Sequence, residues 1–435
     1  MSNVDNIVSR MYEAARIIGL DERLLVVLPT FKNKWETDLL VTMENGEKKT
    51  FRAMRFWHRS PYTDMPYKGG IRYHPDIDSE MMKSHAMEMS LKCWVMGIEM
   101  GGAKGGLAID PTSVSKQVLK NITENFVNEL VERNNLGPYL DVPAPDVGTT
   151  PEIMKWIRQA YGQRLRTHES SSMAGVVTGK PVDFGSGGIP GRTPATGYGL
   201  MVALNQIMAL KKLDCSRLNR VAVIGFGNVG SFIAKYLAQQ GLRIMAISDV
   251  NGGVYCPEGI DFSTLAHIRT PADVLTNSRL SCVKITNDEM IRLEDVDILI
   301  PAALENIITG DNADKINARI ILEGANGPTT PEADSIMAQK GVLVIPDILA
   351  NAGGVSVSYF ECGRNQNHID ERIPMASNGN LVTEGEVLRA MAKMMEYSAR
   401  KVFEYSQKYN VSLRVAAYAF GIERIAPLLR SKYFV

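Results

Sequence analysis

Apolar positions along this chain follow two rhythms, and the change between them falls near residue 195. Upstream, Ile7, Val8, Met11, Ala14 and Ile18 recur at helical spacing. A second helix is predicted over 79–95, opened by Ser79, with Met82, Met89, Cys93 and Met96 on one face, and a third over 115–132. Downstream, short β-branched runs at 221–224, 244–247, 298–301, 320–322 and 342–345 alternate with helical segments such as 229–240 and 331–340. That alternation predicts a parallel sheet covered by helices on both faces, so the fold class is α/β. Towards the end, Thr383 to Glu386 reads as a capping box opening a long helix, and Ser412 as the cap of another. A C-terminal helix that returns to the first half would complete a hinge.

The first of the downstream runs ends in Gly225-Phe226-Gly227-Asn228-Val229-Gly230, and the next ends in Asp249. Glycines there permit a tight turn, approach of a pyrophosphate to backbone N–H groups and close helix–strand packing. The following helix offers the positive end of its dipole. An acid at Asp249 favours a ribose 2′-hydroxyl, hence NAD, with NADP as the alternative; Val250 and Asn251 bring no arginine for a 2′-phosphate.

Upstream, Gly101-Gly102-Ala103-Lys104-Gly105-Gly106 surrounds one lysine with small residues. Two readings stay open: a flexible surface turn, or a lysine beside a bound molecule, shielded from water so that its pKa falls. Lys68 precedes Gly69-Gly70, and Lys92 lies at the edge of the helix 79–95. Alone each is a solvated or snorkelling lysine; together the three would surround an anion such as a small dicarboxylate. Asp146, in the proline-stiffened run Asp141 to Thr149, is either a held general acid/base or an Asx turn before a helix over 150–161. Ser358, after Asn351-Ala352-Gly353-Gly354-Val355, is a ligand donor or an ordinary helical serine. The Ser/Gly/Pro-rich stretch 167–192 has the composition of a loop walling a cleft.

Composition narrows the partners. The chain of 435 residues carries 48 basic and 48 acidic side chains, 45% hydrophobic residues and 22% charged. A balanced charge gives no field for nucleic acid or an anionic membrane and permits self-association. No apolar run reaches membrane-spanning length, and the N-terminal stretch lacks signal-peptide character. Five scattered cysteines predict reduced thiols in a cytoplasmic protein, and the histidine spacing predicts no metal site.

In order along the chain, the segments 66–75 (PYKGGIRYHP), 90–95 (SLKCWV), 101–106 (GGAKGG), 141–149 (DVPAPDVGT), 195–199 (ATGYG), 225–230 (GFGNVG), 301–306 (PAALEN), 323–334 (EGANGPTTPEAD) and 351–355 (NAGGV) resemble the glutamate dehydrogenases of the Glu/Leu/Phe/Val dehydrogenase superfamily. The resemblance implies a substrate-binding α/β domain (1–195, completed by 405–435), a Rossmann-type dinucleotide-binding domain (196–365), an insert and hinge helix (366–404), and an active-site cleft between the domains. It implies oxidative deamination of L-glutamate to 2-oxoglutarate and ammonium, and the reverse, with NAD or NADP, in a homohexamer.

Carried over by position, Lys104 looks like the catalytic lysine and Asp146 like the proton-relaying acid. Lys92 would hold the α-carboxylate, and Lys68 with Ser358 the γ-carboxylate. Gly70, Asn351 and Val355 would line the substrate site; Thr196, Ala302 and Asn326 would join the 225–230 glycine turn and Asp249 around the cofactor. Relatives acting on leucine, valine or phenylalanine have an apolar residue in place of Lys68, so the substrate expected here is glutamate. The other alternative is a catalytically silent regulatory protein. The chain departs from the family pattern at 362–368 and in a polar insertion at 369–383.

Overall fold

Gly101–Leu107, open between turn and site in the sequence, is a central β-strand in the computed structural model of the chain. The structure describes residues 2–62, 65–165, 173–183, 185–214, 216–276, 281–368, 370–375 and 382–433. Parts of two expected features, the loop 167–192 and the insertion 369–383, lie outside those residues, as does Cys215. The chain divides into two units: Met1–Arg192, Val355–Ala390 and Gly421–Val435 form the first, Thr193–Gly354 and Met391–Phe420 the second.

The first unit holds a five-stranded sheet of β1 (Phe31–Thr42), β2 (Lys48–His58), β3 (Tyr67–Tyr73), β4 (Gly101–Leu107) and β5 (Asp141–Pro145), in the order β1-β2-β4-β3-β5. β3 runs parallel to both β4 and β5, while β2 runs antiparallel to both of its neighbours, β1 and β4. The glycines of β4 are demanded by space. A Cβ on Gly102 would lie 2.1 Å from the carbonyl of Ala86, and one on Gly105 2.1 Å from that of Met54. Backbone therefore packs on backbone, which only glycine permits. From β2, Arg55 ties the two strands beyond β4: its guanidinium forks onto Asp141 of β5 (2.7 and 2.8 Å) and donates to the carbonyls of Gly69 and Gly70 of β3.

One face of this sheet packs Trp35, Trp57, Ile71, Tyr73 and Leu107 against the helices Lys116–Glu132 and Pro151–Leu165. The other carries the helix Ser79–Val95, capped by Asp78 instead of the expected Ser79. That helix is buried almost all round, polar positions included, because the helix Asn3–Ile17 covers it from outside; the single apolar face expected from its methionines is too narrow a description. The Thr383/Glu386 box and the Ser412 cap form as expected, opening the helices Glu384–Tyr409 and Leu413–Tyr433.

The second unit contains the expected parallel strands β6 (Arg220–Ile224), β7 (Arg243–Asp249), β10 (Ile298–Pro301), β11 (Ile320–Leu322) and β12 (Leu343–Ile345). Sheet order is β12-β11-β10-β6-β7, continued by β8 (Gly252–Ile260) and then β9 (Val283–Ile285) at the edge. These two antiparallel strands were not expected; their mixed sequences lack the apolar run that marked the others. Their register pairs Tyr255 with Val283, which sets Cys256 opposite Cys282, and the two are joined in a disulfide. The expectation of reduced thiols is therefore corrected for this pair: a separation of 26 residues hid a cross-strand neighbour. Cys93 and Cys362 are free and buried, and burial pushes their thiols up to about 12 and about 11.

The expected boundaries also shift. Residues 355–365 belong with the first unit, not the dinucleotide domain, because Ser358 and Glu361 on their helix bond Thr178, Gly179 and Lys180. The segment 366–404 is not one module: up to Ala390 it counts with the first unit, and from Met391 with the second.

Candidate active site

Strand register assembles the first group of residues. Side chains alternate across a strand, so Lys68, Gly70 and Arg72 of β3 share a face. In β4, Gly102 pairs with Lys68 and Gly105 with Ile71, which brings Lys104 beside Gly70 on that same face. In β5, Ala144 pairs with Gly70, so Asp146, just beyond the strand, arrives beside Arg72. A Cβ on Gly70 would come within 2.7 Å of the Asp146 carboxylate: this glycine leaves room for the acid to reach Lys104.

The contact is made. Lys104 Nζ donates to Asp146 Oδ2 at 2.5 Å, and Arg72 Nε donates to Oδ1 at 2.6 Å. Thr149 Oγ1 accepts from the Asp146 backbone N–H, which fixes the carboxylate's approach. Burial pulls the Lys104 ammonium below its usual value; Asp146 opposes this, while Arg72 and Lys92 add to it. For Asp146, burial alone would raise the carboxyl. The Lys104 and Arg72 charges outweigh it and hold the acid ionised, well below the carboxylate range. Lys92 and His85 face this pair from the helix Ser79–Val95, and burial keeps His85 neutral.

Lys68 is fully buried, donates to the carbonyl of Val142 at 2.9 Å, and is lowered by desolvation to about 7. Ser358 shares a 2.6 Å hydrogen bond with Thr178, and Val355 lies one turn earlier on the same helix. Lys180 and Glu361, paired at 2.6 Å and both buried, clamp the Thr178 segment, with Glu361 also accepting from Gly179 N–H. Arg192 has a buried Nε without a hydrogen-bond partner, and its charge faces Glu361 and Asp146.

Sequence reasoning missed Arg72, Thr178 and Arg192 as members of this group. Arg72 was findable, since the two-residue period from Lys68 puts it on the Lys68 face once β3 is recognised. Thr178 and Arg192 stand in loop sequence with no period to read.

The second unit collects the remaining positions. Gly225 (φ +97°) turns the chain after β6, and a Cβ there would strike Ala303. Gly230 lies against the Gly225 carbonyl, where a Cβ would be 1.8 Å away. At Gly227 nothing lies within 4 Å of where a Cβ would be: a cradle over the start of the helix Asn228–Gln239, open to a pyrophosphate. Phe226 is buried beneath it, Val229 is half-buried, and Asn228 donates to the carbonyl of Thr193. Ala302 bonds back to β6 at Ile224, Asp249 ends β7 and accepts from Asn251 N–H, and Thr196 is half-buried near the start of the helix Ala195–Leu210. Asn351 donates to Gly324, Ala325 and Asn326, leaving its own buried Oδ1 without a partner. These donor and space arrangements fit a dinucleotide. Among the described residues no His/Cys/Asp/Glu group is placed to hold a metal, and no helix is long and apolar enough to cross a membrane.

Comparison with known proteins bears on the same segments. The family model "Glutamate/Leucine/Phenylalanine/Valine dehydrogenase" matches residues 187–432, and the "Glu/Leu/Phe/Val dehydrogenase, dimerisation domain" model matches 32–163. A glutamate dehydrogenase of Thermotoga maritima is 39% identical over 421 residues, covering 96% of this chain and 95% of that one. A catabolic NAD-specific glutamate dehydrogenase of Bacillus subtilis is 37% identical, covering 97% and 94%. Among solved structures, hetero-hexameric glutamate dehydrogenase from Thermus thermophilus (leucine-bound) superposes with a TM-score of 0.86 at 30% identity, covering 98% of this chain and 96% of that one. Glutamate dehydrogenase of Peptoniphilus asaccharolyticus gives 0.80 at 32%, each chain covered in full. With a lysine–aspartate pair on one glycine-lined sheet, a dinucleotide turn in the other unit, and two family models spanning most of its length, the chain belongs to the Glu/Leu/Phe/Val dehydrogenase family.

Proposed function

We propose that this protein catalyses the NAD-dependent oxidative deamination of L-glutamate to 2-oxoglutarate and ammonium, and the reverse reductive amination, with NADP as the alternative cofactor. The observation that carries the reading is the Lys104–Asp146 pair with a second buried lysine, Lys68, on the same sheet face. Several relatives are named NAD-specific glutamate dehydrogenases, which supports both substrate and cofactor.

A bound nicotinamide supplies the hydride acceptor or donor. The chain's residues do the rest. Lys92 holds the α-carboxylate, while Lys68 and Ser358 hold the γ-carboxylate. Gly70, Val355 and Asn351 shape the space around the substrate. Loss of hydride from Cα leaves an iminium; neutral Lys104 takes a proton from the attacking water as the C–O bond forms. Asp146, which takes a proton from the substrate's α-ammonium before hydride leaves, returns it to the carbinolamine nitrogen. As the C–N bond breaks the hydroxyl proton passes to the ammonia, leaving the 2-oxo acid, ammonium and the water's other proton on Lys104. Thr196, Asn326, Ala302, Asp249 and the Gly225–Gly230 turn orient the dinucleotide.

Lys68 also decides against leucine, valine or phenylalanine. An apolar side chain would leave a buried ammonium unpaired, at a cost of several kcal/mol. We further propose a homohexamer acting in the cytoplasm, where both the cofactor and the 2-oxo acid are available.

The test is direct: purified protein with 2-oxoglutarate, ammonium and NADH, then NADPH, followed by cofactor absorbance. Turnover is expected with NADH; none with either cofactor would end this reading, and preference for branched 2-oxo acids would move the substrate class. Lys104→Ala is expected to lose turnover at least 10²-fold while still binding NADH, the scale of one general acid/base.

A further inference from the structure

Lys104 does not have Asp146 to itself. Of the two carboxylate oxygens, Oδ2 takes Lys104 Nζ and Oδ1 takes Arg72 Nε, at 2.5 and 2.6 Å. The arrangement is fixed by strand register: Arg72 stands two residues beyond Gly70 on one face of β3, and Asp146 follows the β5 residue paired with Ile71. The Arg72 and Asp146 side chains are only about one-sixth exposed, so solvent screens them weakly. The charged and titratable groups facing Lys104 are then Asp146 from the end of β5, Arg72 from β3, and Lys92 and His85 from the helix Ser79–Val95.

A buried lysine paired one-to-one with an aspartate is a poor base. The carboxylate stabilises the ammonium, and the pair persists as an ion pair through neutral pH. A guanidinium changes this because it is permanently charged and cannot itself take or give the proton. Burial and neighbouring cations already draw the Lys104 ammonium below its ordinary value despite the aspartate.

We propose that Arg72 is a positioning residue for the deamination chemistry: it shares Asp146 with Lys104, fixes the carboxylate in place, and stops the aspartate from locking the lysine as a permanent ammonium. This rests on the deaminating reading above, and it adds that the working base is tuned by a residue on the neighbouring strand.

Two readouts test it, one of which needs no turnover. The first is the pH dependence of glutamate oxidation; the second is competitive dinitrophenylation of Lys104 across pH, quantified by peptide mass spectrometry. Without the arginine charge, Lys104 keeps its proton to higher pH. In Arg72→Gln the midpoint of labelling and the acid limb of the rate profile are therefore both expected to rise by about one pH unit or more. Arg72→Lys, which keeps a charge, should return most of that shift. Arg72→Met, which keeps the aliphatic stem, takes the place of the Gln variant should that one fail to fold. An unmoved labelling midpoint in the uncharged variant overturns the proposal. So does identical behaviour of the Lys and uncharged variants, which would make Arg72 a packing residue only. If wild-type protein turns over no glutamate, the functional reading fails by itself and labelling still decides the part played by Arg72.

Discussion

Lys68 is held away from water, donating to the backbone carbonyl of Val142, and desolvation lowers its pKa to about 7. A folded value below the unfolded one has a definite sign. Between pH 7 and about 10.4 the unfolded chain binds the extra proton, so this group's contribution to stability rises with pH across that window. A carboxylate placed against Lys68 restores the charged form. Binding of 2-oxoglutarate should therefore take up a proton above pH 7 and weaken as pH rises; calorimetry in buffers of different ionisation heat measures this, and no proton uptake would remove Lys68 from the side-chain subsite. Lys68→Leu should raise the KM for 2-oxoglutarate by about two orders of magnitude, the scale for losing one partner of a buried charged pair. Among the site residues, chemistry was legible where residue type is unusual for its surroundings, as for lysines among glycines. It was illegible where an ordinary residue, such as Thr178 or Arg192, is recruited by a loop.

At the scale of elements, one substitution is expected to act oppositely on two glycines. Gly105→Ala forces a Cβ to within 2.1 Å of the Met54 carbonyl in the neighbouring strand. Overpacking of this kind costs about 1–3 kcal/mol or more, because backbone cannot step aside as a side chain can. Gly227→Ala meets open space and an allowed φ of −79°, so the fold should tolerate it while the added methyl crowds the pyrophosphate. Melting temperature and NADH affinity measured together on both variants should show the first losing stability and the second losing only cofactor binding. A stable Gly105→Ala would contradict the packing of β4.

The parallel strands of the second unit were readable because strands buried on both faces are continuous apolar runs. β4 was not, because glycine is the usual mark of a turn and carries no side-chain period. The same unit holds a buried knot in which Arg414 is ringed by Glu323, Asp334 and Asp347. Arg414→Met would strand these carboxylates and should cost about 3–5 kcal/mol in denaturant unfolding.

For the whole molecule, Cys256 and Cys282 should resist alkylation until a thiol reductant is added, and peptide mass spectrometry reads this directly. Labelling without reduction would contradict the disulfide between them. Light scattering tests the proposed hexamer; one of the solved relatives is hetero-hexameric, so a homohexamer is a property to be measured on this chain alone.

By itself the sequence determined the α/β class, the dinucleotide turn after β6 and the lysines and aspartate that carry the chemistry. Each is written locally, in apolar period, in glycine spacing or in residue type. Tertiary structure decided what depends on pairing between distant segments. It made Gly101–Leu107 a strand, joined two cysteines across antiparallel strands at one end of a sheet, and divided one aspartate between Lys104 and Arg72. Such contacts are set by register between strands, and register leaves no mark in any single stretch of chain.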